Sequence, residues 1–134
     1  MPNSSQDLTG IVTKLSSRSV AGTVERLIGM LKEKGMTLFA EIDQSAAARQ
    51  VGLELRDTTL VIFGSPVAGT PVMNASPLSA LDLPLKVLIW SDEGQTKVSY
   101  YAPAVLASRY HIEADLALNL AGIDALTDAL VAGS

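Results

Sequence analysis

The chain has 134 residues, 48% of them hydrophobic, and a formal net charge of −4. That length suits one domain over residues 1–134, because a chain of this size buries enough surface in one core to offset its conformational entropy. Few, scattered lysines and arginines argue against nucleic acid or an anionic membrane surface as partner, since each needs a basic face, and the absence of cysteine removes disulfides, thiolate catalysis and sulfur-ligated metals.

The first ten residues, MPNSSQDLTG, lack a basic segment followed by an apolar core, so no signal peptide is expected and the expected compartment is the cytoplasm. Gly10 to Ser16 alternates Ile11, Thr13 and Leu15 against Val12, Lys14 and Ser16, which predicts a strand. Val20, Val24, Leu27, Ile28 and Leu31 then recur at helical spacing, with Ser19 as N-cap and Gly35 just past the end. Thr37 to Asp43 reads as a second strand, with Leu38, Ala40 and Ile42 on one face and Phe39, Glu41 and Asp43 on the other. A short helical turn follows over QSAAARQVG, and Thr58 to Gly64 is a strand apolar on both sides, as a central position requires. Leu85 to Ser91 pairs antiparallel with TKVSYYA through DEGQ, where Gly94 supplies positive φ. Pro103 opens a helix, and Leu116, Leu120, Ile123 and Leu130 outline a last one after a break near His111.

The order β-α-β-β-β-β-α predicts an α+β fold, an antiparallel sheet of about five strands with helices on one face. Phe39, Trp90 or Leu88, and either Tyr100 or Tyr101 fall on the other face, beside Glu41, Asp43, Lys86 and Lys97. A sheet face with large apolar groups is usually covered, most often by a second copy of the chain, so a homodimer is expected.

Thr58 to Leu81 carries no charge. A spanning helix needs roughly 20 apolar residues, but Gly64, Pro66, Gly69, Pro71 and Pro77 break this run and its Ser, Thr and Asn side chains would go unsatisfied in lipid, so no membrane is expected. The run instead predicts a shaped, buried connection, with Gly64 and Pro66 turning out of a strand, a short helix starting near Gly69 and Thr70 and ending near Pro77, and Leu83 and Pro84 re-entering the sheet.

The segments GTVERLIGMLKEKGMTLFAEID, LELRDTTLVIFGSPVAGTPVMNASPLSALDLPLKVLIW, SYYAP and LASRYHI together resemble the domain of unknown function 302 family, from about Ile11 to Ile112. The resemblance implies a TATA-binding-protein-like fold found in dimers, with no established activity. Phe63, Gly64, Pro66, Gly69, Thr70, Met73, Pro77, Asp82, Leu83, Pro84, Lys86 and Tyr100 match its pattern. The chain departs from it at Gln44, where family members often carry His after Asp, and at Asp57 and Ser65, where Pro and Asn are expected.

Phe63, Gly64, Pro66, Gly69, Thr70, Met73, Asp82, Lys86 and Tyr100 are the ligand-binding candidates. Either they surround a small neutral or apolar molecule, or the connection merely closes the core and the dimer, with Asp82 capping backbone amides. Catalytic patterns are sparse. His111 is the one histidine, too few for a triad or a multi-histidine metal site, so no metal is expected and no cofactor is indicated. Glu41 and Asp43 share a strand face, a pair that more often marks a solvated strand end than acid-base chemistry. Three readings follow: a binding module with no convergent titratable groups, an enzyme in which Asp82, Lys86 and Tyr100 converge, or a structural dimer without a pocket.

Overall fold

The computed structural model describes residues 10–132; the reading of the first nine residues lies outside them. The strands are β1 (Ile11–Ser16), β2 (Thr37–Asp43), β3 (Thr58–Gly64), β4 (Leu85–Asp92) and β5 (Gln95–Tyr101), in one sheet of order β1-β5-β4-β3-β2. Every pairing is antiparallel. The helices are α1 (Val20–Glu33), α2 (Gln44–Gln50), α3 (Pro66–Ala75), α4 (Pro103–Arg109), α5 (Ala114–Ala117) and α6 (Gly122–Val131), with 3-10 turns at Pro77–Leu81 and Leu118–Leu120. Among the described residues no helix is long and apolar enough to cross a membrane.

Local chemistry sets the boundaries. Ser19 accepts a hydrogen bond from the Gly22 amide, closing an orphan donor of α1. Glu93 and Gly94 both have positive φ, 51° and 86°, the geometry of a tight turn whose twist matches its strands.

The core forms where the pleat of the sheet meets α1 and α6. Val61 and Phe63 of β3, Val87 and Ile89 of β4, and Val98 and Tyr100 of β5 are buried against Val24, Leu27 and Leu31 of α1 and Ile123, Leu126 and Leu130 of α6. A smaller cluster, Val72, Leu83, Leu106 and Leu120, joins α3 and the re-entering chain to the C-terminal helices.

The alternate residues, Leu60 and Ile62 of β3, Leu88 and Trp90 of β4, and Tyr101 of β5, line the opposite face and stay partly open. Lys86 and Lys97 lie there as expected, whereas Tyr100 faces the helices. The expectation for β2 is corrected. Glu41 pairs with Val61 and Asp43 with Thr59, so both carboxylates share the helix-side face, while Ala40 and Ile42 join the open one. Because β2 is an edge strand, its helix-side face meets solvent beyond α1, and the register irregularity between Leu38 and Ala40 separates Phe39 from the alternation.

Leu27 is 0% exposed between α1 and the sheet. Leu27→Ala is expected to lower unfolding free energy by ~2–5 kcal/mol in urea titration, and a loss below ~1 kcal/mol would contradict this packing.

Candidate functional site

Gly64 ends β3, and Ser65 caps α3 by accepting from the Ala68 amide while Pro66 takes the first helical position. The helix starts earlier than expected from Gly69 and Thr70 and ends at Ala75. Burial explains only part of the uncharged run. Val72, Ser79 and Leu83 are buried, but Val67, Leu78 and Leu81 are 86%, 70% and 74% exposed, because α3 and the 3-10 turn present just one side to the fold.

Between this connection and the sheet lies a pocket of about 120 Å³. Gly64, Pro66, Gly69 and Met73 line it, and Phe39, Leu83 and Leu120 add apolar wall. Its polar side chains are Ser65 and Asn119, and Asn119 already donates to the Ala68 carbonyl at 2.9 Å. A methyl on Gly69 would lie 3.8 Å from the Met73 methyl carbon, so this glycine leaves open space rather than relieving a clash.

The other candidates sit elsewhere. Phe63 is fully buried in the main core, and Thr70 is exposed outside the pocket. Asp82 lies at the exit of the connection, where Tyr110 donates to its carboxylate, Arg109 Nη1 donates at 2.8 Å and Lys86 Nζ approaches to 3.9 Å. The Tyr110 hydrogen bond, with Arg109 and Lys86, holds the Asp82 carboxyl below the usual range against the opposing effect of burial. Arg109 also lies 5.4 Å from the centre of the Tyr101 ring, and Ser76 Oγ donates to the Tyr110 carbonyl at 2.9 Å. The expected alternative of Asp82 as a cap of backbone amides is replaced by this side-chain cluster.

Tyr100 and Lys86 both line a cleft on the sheet, but the Tyr100 hydroxyl is not directed to Asp82 or Lys86. That hydroxyl donates to Asp124 of α6 at 2.5 Å. Lys14 of β1 sits 5.2 Å from the Tyr100 ring, donates to Thr127 at 2.7 Å and pairs with Asp128 at 2.7 Å. Burial, then the Asp124 hydrogen bond, pushes the Tyr100 phenol up. Burial pulls Lys14 down, but hydrogen bonding to Asp128 and Tyr100 outweighs it and keeps the ammonium above its ordinary value. The arrangement locks α6 onto β1 and β5. The enzyme reading required Asp82, Lys86 and Tyr100 to converge, and they are divided between two clusters.

His111 is exposed, with φ 52°, in the turn after α4. Asp43 accepts from the Ala46 amide at 2.9 Å and from Ser45 Oγ at 2.7 Å, and so caps α2. Sequence reasoning missed Phe39 and Asn119 in the pocket and Arg109 and Tyr110 around Asp82. Arg109 and Tyr110 were visible in LASRYHI, but their partner is 27 and 28 residues away, beyond the reach of local pattern.

A depressed carboxyl pKa contributes stability that is fully present above the unfolded value near pH 4 and disappears as pH falls through the folded value. Asp82→Asn is therefore expected to cost about 1 kcal/mol at pH 7, discounted for solvent exposure, and progressively less below pH ~4. Parallel urea titrations of both proteins across pH check this; a constant difference down to pH ~2 would contradict it.

The family model described as "Domain of unknown function DUF302" matches residues 12–130. A crystal structure of an uncharacterized conserved DUF302 protein from Bacillus stearothermophilus superposes with TM-score 0.77 at 22% identity, covering 92% of this chain and 96% of that one. At that identity the likeness speaks for the fold alone. "Fluoride-specific ion channel FluC 1" of Brucella suis biovar 1 (strain 1330) is 40% identical over 105 residues, 78% of this chain and 41% of its own length. The protein of the same name from Brucella abortus biovar 1 (strain 9-941) is also 40% identical over 105 residues, with 39% of its length covered. This chain thus spans about two fifths of these curated relatives. The family match across nearly all the described residues, on the five-stranded fold that its sequence pattern requires, makes the chain a member of the DUF302 family.

Proposed function

We propose that the chain is a homodimeric binding module that holds one small, largely apolar molecule beneath the Phe63 to Pro84 connection. The observation that carries this reading is the pocket of about 120 Å³, whose lining includes no titratable side chain. Apolar cavities of roughly 150 Å³ stay dry and accept benzene, so this volume suits a compact molecule of that scale. Its wall favours binding over acid-base chemistry, since a general acid or base must stand within hydrogen-bonding reach of the reacting group. The open sheet face, with Leu60, Leu88, Trp90 and Tyr101, supports a second copy as its cover.

A ligand-observed fluorine NMR titration with 4-fluorotoluene tests the pocket. Saturable broadening is expected with the native chain, and Gly69→Leu is expected to weaken binding by at least about tenfold while the protein stays folded, because the new side chain occupies the space beside Met73. Absence of saturable binding to the native chain, or equal binding by both proteins, would overturn the pocket assignment. For the dimer, Leu88→Glu is expected to yield a folded monomer in light scattering; a native monomer, or an unchanged dimer in the variant, would contradict the assigned face.

A second reading is favoured by the two relatives named fluoride-specific ion channels at 40% identity. In it, the chain is an accessory domain linked to a fluoride channel. Deletion of its gene is expected to lower the fluoride concentration that halts growth, with recovery on complementation. Unchanged fluoride tolerance would oppose this reading while leaving the pocket test intact.

A further inference from the structure

The cleft that Lys86 shares with Tyr100 has a volume of about 250 Å³ and opens on the face of the sheet away from the helices. Ile11 of β1, Leu60 of β3, Leu88 of β4 and Tyr101 of β5 give it apolar walls, with Ser99 between them. The Ser99 hydroxyl is already engaged, accepting from Trp90 Nε1 at 2.9 Å and lying 2.9 Å from the Thr13 hydroxyl. Lys86 is the one charged side chain in the lining among the described residues.

The Lys86 ammonium lacks an acceptor. Its ion-pair partner, Asp82 Oδ1, stands 3.9 Å away, beyond hydrogen-bond reach, and Lys86 Nζ donates to no other atom among the described residues. The second Asp82 oxygen is taken by Tyr110 and by Arg109 at 2.8 Å. With 28% of its side chain exposed, Lys86 has lost much of its water while its ammonium donors find no protein acceptor, a state that costs free energy until a partner completes it. Positive charge is in excess along the whole face. In its ion pairs Arg56, Lys86, Lys97 and Arg109 stand against Asp82 and Asp92, although the chain as a whole carries −4.

We propose that this cleft binds an organic acid, a monocarboxylate carried on a short apolar or aromatic body. Leu60, Leu88 and Tyr101 take the body, and Lys86 Nζ donates to the carboxylate in a charge-assisted hydrogen bond. A neutral molecule of the same shape leaves the ammonium unanswered, and an amine is repelled by it. The cleft shares no lining residue with the pocket beneath the connection and does not rest on that reading. It does lie on the face assigned to a second copy. Two such cationic surfaces meet there at a cost, which bound acids lower; this effect alone rests on the dimer.

The test is a titration of the full chain with 3-phenylpropionate, followed by amide NMR, beside 3-phenylpropanol as the neutral control. Both are repeated on Lys86→Met, which keeps the apolar stem, and on Lys86→Arg, which keeps the charge. Saturable shifts around Leu60, Lys86, Leu88 and Ser99 are expected, with the acid binding at least about tenfold tighter than the alcohol. Lys86→Met is expected to erase that preference and Lys86→Arg to retain it. Equal affinity of the native chain for acid and alcohol, shifts centred elsewhere, no saturation, or an unchanged preference in Lys86→Met would each overturn the assignment. Light scattering on the same samples reports the second copy separately. A monomer that prefers the acid through Lys86 supports this site and removes the cover, whereas a dimer indifferent to the acid overturns the site and leaves the cover standing.

Discussion

The constraint on which the structure depends is the side to which β3 turns its alternate residues. Thr59, Val61 and Phe63 face the helices, and Val61 and Phe63 are wholly buried there. A slip of one residue would exchange them for Leu60 and Ile62, removing the phenylalanine from beneath the helices and leaving the core unfilled. That one choice of face also brings Gly64 out at the end where the connection begins.

The connection then has to be held down, because α3 buries little of its own surface. Three polar ties do this: Asp82 with Arg109 and Tyr110, Ser76 with the Tyr110 carbonyl, and Asn119 with the Ala68 carbonyl. All three reach to the chain after β5. Tyr100 and Lys14 do the corresponding work for α6 at the far edge of the sheet. Polar side chains thus fix the helices over two apolar clusters, and the space between the connection and the sheet stays mostly apolar, with Ser65 and Asn119 as its polar side chains. These ties hold the connection over a small, mostly apolar pocket.

Much of the fold was legible because its signals are periodic and local. The spacing from Val20 to Leu31, the two-sided apolar β3 and the glycine of the β4–β5 turn each reflect one element's own geometry. The sides of β2 were not legible, since an edge strand has no requirement to put its apolar residues toward the helices, and the irregularity at Phe39 has no glycine or proline to announce it. Of the residues that line the pocket, Gly64, Pro66 and Gly69 stood out by the turn that the chain must take there, and Met73 by the family resemblance. Asp82 was recognised as important, yet its partners lie in another helix and turn, and Tyr100 was drawn into the wrong group because its role is set by Asp124 on α6. Pairings between distant segments leave no trace in spacing.

The measurement that tests the central claim most directly is native mass spectrometry of gently purified protein, set beside its denatured mass. A homodimeric binding module is predicted to appear as a dimer carrying a small extra mass that is lost on denaturation. A bare monomer at micromolar concentration would contradict both the covered sheet face and the occupied pocket.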